Sequence, residues 1–264
     1  HLVEEIAMKL GVSTLFCLSE PPEETVRNLK LLGVQYVELT DDGAHALNPY
    51  HVKHLKGAAE SYGWKYSVHA PSAEVNIAAY DSSMRRASLR RLEQSLQYAA
   101  KLEAENWVFH PGAATALDRF YPGEAWKRNL MSVKRLWRVS EEVGVEAAIE
   151  NVPEPFPFLL KSVEDFERFY SELDAEIGMV LDVAHANIRG EVGKFLERFG
   201  DKIVHVHVSD NMGDQDTHLP IGRGMINWRE TIEALKKLSF SGIVIIESYS
   251  GIKESITILR ELIG

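Results

Sequence analysis

Short apolar runs that each lead into a histidine or a carboxylate recur along the chain, and they constrain its fold more than any other feature. Tyr66-Ser67-Val68 leads into His69, Trp107-Val108-Phe109 into His110, and Ala147-Ala148-Ile149 into Glu150. Met179-Val180-Leu181 leads into Asp182, His205-Val206 into His207, and Val244-Ile245-Ile246 into Glu247. A strand buried on both faces of a parallel sheet reads as such an apolar run. A ligand-type residue at its last position then emerges at the carboxyl end of the sheet. Between the runs lie amphipathic stretches. In Ser82–Leu102, Leu89, Leu92, Leu96 and Ala99 share one face opposite Arg85, Arg86, Arg90 and Arg91, which is the spacing of a half-buried helix.

Strands alternating with helices predict a parallel α/β sheet. The strands fall at Lys9–Leu15, Tyr36–Leu39, Lys65–Val68, Trp107–Phe109, Glu146–Ile149, Gly178–Leu181, Ile203–Val206 and Ile243–Ile246. Eight such units favour closure into a (β/α)8 TIM barrel. The absence of a Gly-rich dinucleotide fingerprint after the first strand counts against an open doubly wound sheet. The 264 residues fit one barrel of about 250 residues, and no linker-like shift divides them, so one domain over 1–264 is expected. Helices are expected at Glu23–Leu32 with a stop at Gly33, at Ala125–Glu142 before Gly144, and at Ser162–Leu173 behind a serine cap. His1 to Ala7 fit no barrel element and read as a tag remnant or a short N-terminal extension. Ser209–Asn227 is the longest irregular segment, and it falls after the seventh strand, at the mouth of the cavity.

Composition narrows the function classes. The single Cys17 excludes an internal disulfide and a thiolate-rich zinc knuckle, and it reads as a small hydrophobe of the first strand. No membrane-spanning run and no leader pattern is visible, so a soluble, cytoplasmic protein is expected. The net charge of −10 argues weakly against a nucleic-acid backbone as partner. Divalent cations at the acidic cluster would cancel part of that charge.

In a (β/α)8 barrel the carboxyl ends of the strands surround one cavity, where active sites sit. Glu150, Asp182, His207 and Glu247 come from four consecutive strands and can meet on one ion. Histidine and carboxylate donors without cysteine suit Zn, Mn, Fe or Co. Two glutamates beside such an ion are suited to act as acid and base on a substrate carbon. His69, His110 and His185 add ligand-type groups to the same rim. Asp216 and His218 lie two apart in the long loop, so both can face one ion. His205 shares the facing of His207 but lies a layer deeper, as a core or supporting residue. Glu38, ending the second strand, either binds a substrate hydroxyl or caps a helix. Arg223 in the long loop is a candidate for a substrate phosphate. His45, His51 and His54 fit a surface loop and helix.

Taken together, several motifs resemble the xylose isomerase-like barrel superfamily, which includes sugar-phosphate isomerases and epimerases and endonuclease IV-type apurinic endonucleases. They are His69-Ala70-Pro71, His110-Pro111-Gly112, Glu150-Asn151, Leu181–His185, His207–Asn211 and the Asp216–Gly224 loop. The likeness runs in order along nearly the whole chain. In the ketose 3-epimerase branch it implies one Mn, Co or Zn ion on Glu150, Asp182, His207 and Glu247. The two glutamates would then pass a proton at the carbon next to a carbonyl. In the endonuclease branch it implies three zinc ions on His69, His110, Glu150, Asp182, His185, His207, Asp216, His218 and Glu247. One to three divalent ions are therefore expected. Gly11-Val12-Ser13 and Leu31–Leu39 resemble the sugar-isomerase opening, and Glu150–Pro155 lacks the Gly-rich stretch of the nucleases.

The leading expectation is a metal-dependent isomerase or epimerase of a small sugar, sugar phosphate or polyol-derived ketone. Its partner would be that small molecule, and a homo-oligomer is allowed. The alternative is a zinc-dependent apurinic endonuclease, the one reading in which nucleic acid is a partner. A metal-retaining barrel with a binding role and no turnover is the third.

Overall fold

The computed structural model describes residues 8–264. The expectation for residues 1–7 lies outside the described residues. The strands are β1 (Lys9–Ser13), β2 (Tyr36–Thr40), β3 (Lys65–His69), β4 (Asn106–Phe109), β5 (Glu146–Glu150), β6 (Gly178–Asp182), β7 (Ile203–Val208) and β8 (Ile243–Ile246). They pair in parallel in chain order, and β1 closes onto β8 to complete the barrel. The helices are α1 (Pro22–Lys30), α2 (Pro49–Tyr62), α3 (Ser82–Lys101), α4 (Glu124–Val143), α5 (Val163–Glu172), α6 (Val183–Ile188), α7 (Val192–Phe199), α8 (Trp228–Lys237) and α9 (Ile252–Ile263). None among the described residues is long and apolar enough to cross a membrane.

Local chemistry explains the boundaries. The side chain of Asp81 caps α3 by accepting from Ser83 and Met84 N–H. Ser162 and Asp165 form a reciprocal capping box at α5. Gly144 ends α4 in the left-handed conformation at φ 74°, which glycine adopts without a Cβ clash. The first strand is shorter than the apolar run suggests. Ser13 Oγ accepts from Leu15 N–H, and Thr14–Cys17 turn as a 3-10 helix. Cys17 is buried in that turn rather than in a strand. His45 departs from a surface assignment too: it is buried, with Nε2 3.1 Å from Thr25 Oγ1.

Most of the apolar core lies between the barrel wall and its helices. Leu92, Leu96, Leu136, Phe166, Phe169 and Phe195 are enclosed there. The barrel interior holds a separate small cluster of Val108, Ala148 and Val180, flanked by Val204. A Cβ at Gly11 would lie 2.6 Å from the Tyr36 carbonyl oxygen and 2.7 Å from Ile245 Cδ1, so β1 needs a glycine there. Towards the carboxyl ends the interior becomes polar. β3, β5 and β6 terminate on His69, Glu150 and Asp182 themselves, and β7 continues one residue past His207.

Candidate metal centre and active site

The register of the barrel brings the rim residues together. Asp182 on β6 is level with His207 on β7. One donor atom each from Glu150, Asp182, His207 and Glu247 lie within 4.8 Å of one another. That span is close to twice a metal–ligand distance of about 2.0–2.2 Å. All four residues are buried. Asp182 Oδ2 is buried and has no hydrogen-bond partner among the described residues. Such an orphaned carboxylate oxygen calls for a cation or an ion-bound group. The donor set of oxygen and imidazole nitrogen, with no sulfur, fits a divalent ion.

Two further sets adjoin this one at the rim, and a third, Glu38 with His205, shares its His207 below the rim. Near Glu150 Oε2 stand His110 Nε2 at 3.0 Å and His69 Nε2 at 3.4 Å. Asp216 Oδ2 lies 3.1 Å from His218 Nε2 and 3.2 Å from His185 Nε2. Three of these imidazoles are fixed from behind. His69 Nδ1 lies 2.9 Å from the Ala70 carbonyl, His185 Nδ1 2.8 Å from that of Asn151, and His218 Nδ1 2.7 Å from that of Glu247. A carbonyl only accepts, so each Nδ1 carries a proton and Nε2 faces the site. Metal-binding histidines are oriented in the same way. His218 also holds a left-handed backbone at φ 46°, a conformation that costs a non-glycine residue energy and is kept by its surroundings.

Glu38, expected either to bind a substrate hydroxyl or to cap a helix, lies beneath the cavity and is not among the residues lining it. It is fully enclosed, with Oε1 2.9 Å from His207 Nε2 and Oε2 2.9 Å from His205 Nε2, and it accepts from Ser67 Oγ at 2.9 Å. On the other side of the ring, His207 Nδ1 faces Glu150 Oε1 at 2.9 Å. Arg223 is exposed and does not line the cavity, because the loop carries it outward.

Charge reinforces the arrangement. Burial opposes ionisation of Glu150, but His207 and His110 hold its carboxyl well below the usual range. Burial raises Asp182 to about 7, with Glu150, Asp216 and Glu247 adding to the rise and His185 opposing it. Burial would lower His185, yet Asp182 and Asp216 lift it to about 10. His69 is lifted to about 9 by Glu150 against the same burial effect. His207 stands well above its ordinary value beside Glu247, Glu38 and Glu150 despite burial. Burial lowers His110, and Glu150 only partly offsets it.

Supporting residues escaped the sequence reading. Asn151 ties β5 to β6, donating to the Asp182 carbonyl at 3.0 Å and accepting from Asp182 N–H at 2.8 Å. Asp210 is the buried hub of the long loop. The cavity above the rim, of about 410 Å³, is also lined by Leu15, Phe156, Phe158 and Tyr249. The only forewarning was adjacency, since Asn151 and Asp210 follow Glu150 and His207 in the quoted motifs. A hollow of about 540 Å³ at the opposite end of the barrel is lined by Lys9 and Glu105, which pair with each other at 2.7 Å, and by none of the rim residues.

A closed eight-stranded barrel with imidazoles and carboxylates gathered at its carboxyl rim defines a class. Residues 26–262 match the profile described as "Xylose isomerase-like TIM barrel". The chain belongs to that family. Among relatives, an uncharacterized protein of Methanocaldococcus jannaschii is 30% identical over 245 residues, covering 91% of this chain and 84% of its own. A D-psicose 3-epimerase of Ruminiclostridium cellulolyticum is 24% identical over 236 residues, covering 85% of this chain and 77% of its own. A crystal structure of a D-tagatose 3-epimerase-like protein superposes with a TM-score of 0.91 at 29% identity and covers 97% of each chain.

Proposed function

We propose that the chain is a divalent-metal-dependent isomerase or epimerase of a small sugar, sugar phosphate or polyol-derived ketone. The observation that carries this reading is the gathering of Glu150, Asp182, His207 and Glu247 at one buried point. The relatives named as ketose 3-epimerases support it. These four residues would hold the ion, which when bound supplies a Lewis acid for a substrate carbonyl and its neighbouring hydroxyl. Glu150 and Glu247 stand three strands apart in the barrel. One carboxylate takes the proton from the carbon next to the carbonyl. The other delivers a proton to the opposite face of that carbon, or to the adjacent carbon in an isomerisation. His69 and His185 present Nε2 to substrate hydroxyls. Asn151 and Glu38 keep Asp182 and His207 in place.

The test is solvent-deuterium incorporation into a panel of ketoses, run beside elemental analysis of the protein. Deuterium at the carbon next to the carbonyl, with about one ion per chain, is expected. No incorporation with any ketose rejects the reading.

One further observation favours a second reading. The sets His69–His110–Glu150 and His185–Asp216–His218 adjoin the first, and ions on all three would suit a zinc-dependent phosphodiesterase acting on abasic DNA. About three zinc ions per chain and incision of an abasic oligonucleotide would decide for it.

Ion binding at the four-residue set has a pH signature. His207 stands well above its ordinary value and Asp182 near 7, so both must shed a proton to become ligands. Affinity for Zn²⁺ or Mn²⁺ is expected to rise by about tenfold per pH unit above pH ~7, and more steeply below it, where Asp182 also titrates. Calorimetry in two buffers of different ionisation enthalpy reads the proton release directly. Equal heats in both buffers would contradict it.

A further inference from the structure

We infer that the barrel holds a further ion site one layer below the rim, formed by Glu38, His205 and His207 and suited to a divalent cation such as Zn²⁺. The site is distinct from the rim sets and stands without the isomerase reading.

One ligand atom from each of the three residues lies within 4.8 Å of the others, and all three side chains are fully enclosed. Glu38 turns one oxygen to each ring. Its Oε1 stands 2.9 Å from His207 Nε2 and its Oε2 2.9 Å from His205 Nε2. Those lengths suit hydrogen bonds, but the directions do not. Neither nitrogen has a hydrogen-bond partner among the described residues, because each oxygen lies off the line along which the ring nitrogen points. The other nitrogen of His207 supplies the contrast: Nδ1 and Glu150 Oε1 are also 2.9 Å apart, and they do align. Two donors that each stand about 2.0–2.2 Å from one ion lie about 3 Å from each other, with the ion on each lone-pair axis. The Glu38 carboxylate between two imidazoles has that arrangement.

His205 is the second, independent observation. It is level with Val180, a member of the apolar cluster inside the barrel. Neither of its ring nitrogens has a hydrogen-bond partner among the described residues. An imidazole sealed in that way has lost its water without replacement, a cost that a bound cation offsets. Ser67 Oγ donates to Glu38 Oε2 at 2.9 Å and steadies the carboxylate. Two imidazoles and a carboxylate are zinc-type donors. With an ion below and another at the rim, His207 would bridge the two through Nε2 and Nδ1.

The three side chains are closed to solvent, so an ion enters as the chain folds. Protein loaded after folding therefore counts the rim ion alone. The test is to refold the full chain in excess Zn²⁺, remove free metal and crystallise it. Anomalous diffraction at the zinc edge is expected to show a peak between Glu38, His205 and His207, below any at the rim. Elemental analysis of the refolded wild type is expected to give about one ion more per chain than His205→Gln treated alike. The proposal is overturned if no peak lies below the rim, or if wild type and a folded His205→Gln hold equal zinc. The diffraction result decides alone if the variant does not fold. Failure of every ketose to exchange deuterium would reject the isomerase reading and leave the lower peak in place, so the two outcomes are separable.

Discussion

Replacing Glu150 with Gln is expected to cut solvent-hydrogen exchange into a ketose by about 10²–10⁴-fold while leaving the barrel folded. The two side chains are nearly equal in size, so packing at the end of β5 changes little. What changes is charge. Glu150 touches His110, His69 and His207 through its two oxygens, and an amide can neither ionise nor shuttle a proton. The same substitution has a readout that needs no turnover. Burial lowers His69, and the Glu150 carboxylate lifts it to about 9. Without that carboxylate the imidazole titration, followed by proton NMR on metal-free protein, is expected to move down towards or below its ordinary value. The sign for stability follows. A raised histidine contributes stability that is fully present below about pH 6.5 and is lost as pH rises through about 9. A depressed glutamate contributes stability present above about pH 4.5 and lost as pH falls through its folded value. The stability difference between wild type and Glu150→Gln is therefore expected to peak between about pH 5 and 6.5 and to shrink on either side. An unchanged His69 titration, together with exchange within about threefold of wild type, would remove Glu150 from the acid–base role.

The barrel was legible because two periodicities coincided with ligand-type residues. Apolar runs of strand length gave the wall, and the residues ending them gave the rim. Their convergence follows from closure, since a parallel strand can deliver its last side chain only to the carboxyl end. The place of Glu38 was open because a strand-end carboxylate and a carboxylate one layer deeper look alike in one dimension. Register separates them. Glu38 is level with Ser67, two residues before His69 on β3, so it sits beneath the rim, within reach of His205 and His207. The place of Arg223 was open for a related reason, because the direction of an irregular loop has no periodic signature. The aromatic wall was invisible for lack of contrast. Phe156 and Phe158 flank Pro157 in a stretch with no regular spacing, and Tyr249 sits just beyond β8. Their common cavity exists only after the loops fold over the rim. Asn151 and Asp210 were in view as letters of motifs, but the partner of Asn151 is on the next strand and those of Asp210 meet it only once the long loop folds back on itself.

Asp210→Ala is expected to be among the most damaging single changes outside the rim, destabilising the fold by about 3–5 kcal/mol. The long loop would be an unsupported excursion without this side chain. Asp210 Oδ2 accepts from Gly222 N–H and from Trp228 Nε1–H, both at 2.9 Å. Oδ1 accepts from Asn211 N–H at 3.0 Å and Ile226 N–H at 3.2 Å. Its backbone pairs in both directions with Leu219, at 2.8 and 2.9 Å. The carboxylate is fully buried, so alanine would strand four donors in a place where water enters poorly. Packing around it is close enough that a Cβ on Gly224 would run into Asp210 Oδ1 and the Asn211 carbonyl. At about 2–4 °C per kcal/mol for a chain of this size, Tm is expected to fall by about 6–20 °C. Function should suffer with it, because the segment closed by the Asp210–Leu219 pairing carries Asp216 and His218. The Asp216 carboxylate is held below its usual range, against its burial, by His185 and His218. Once the loop loosens, that contact is lost and His185 is expected to titrate lower. Asp214→Ala supplies the control. It removes the same charge from the same loop at an exposed position, where substitutions cost no more than about 0.5 kcal/mol. Equal melting temperatures for the two variants would show that the loop is held by its backbone alone and that the Asp210 carboxylate is dispensable.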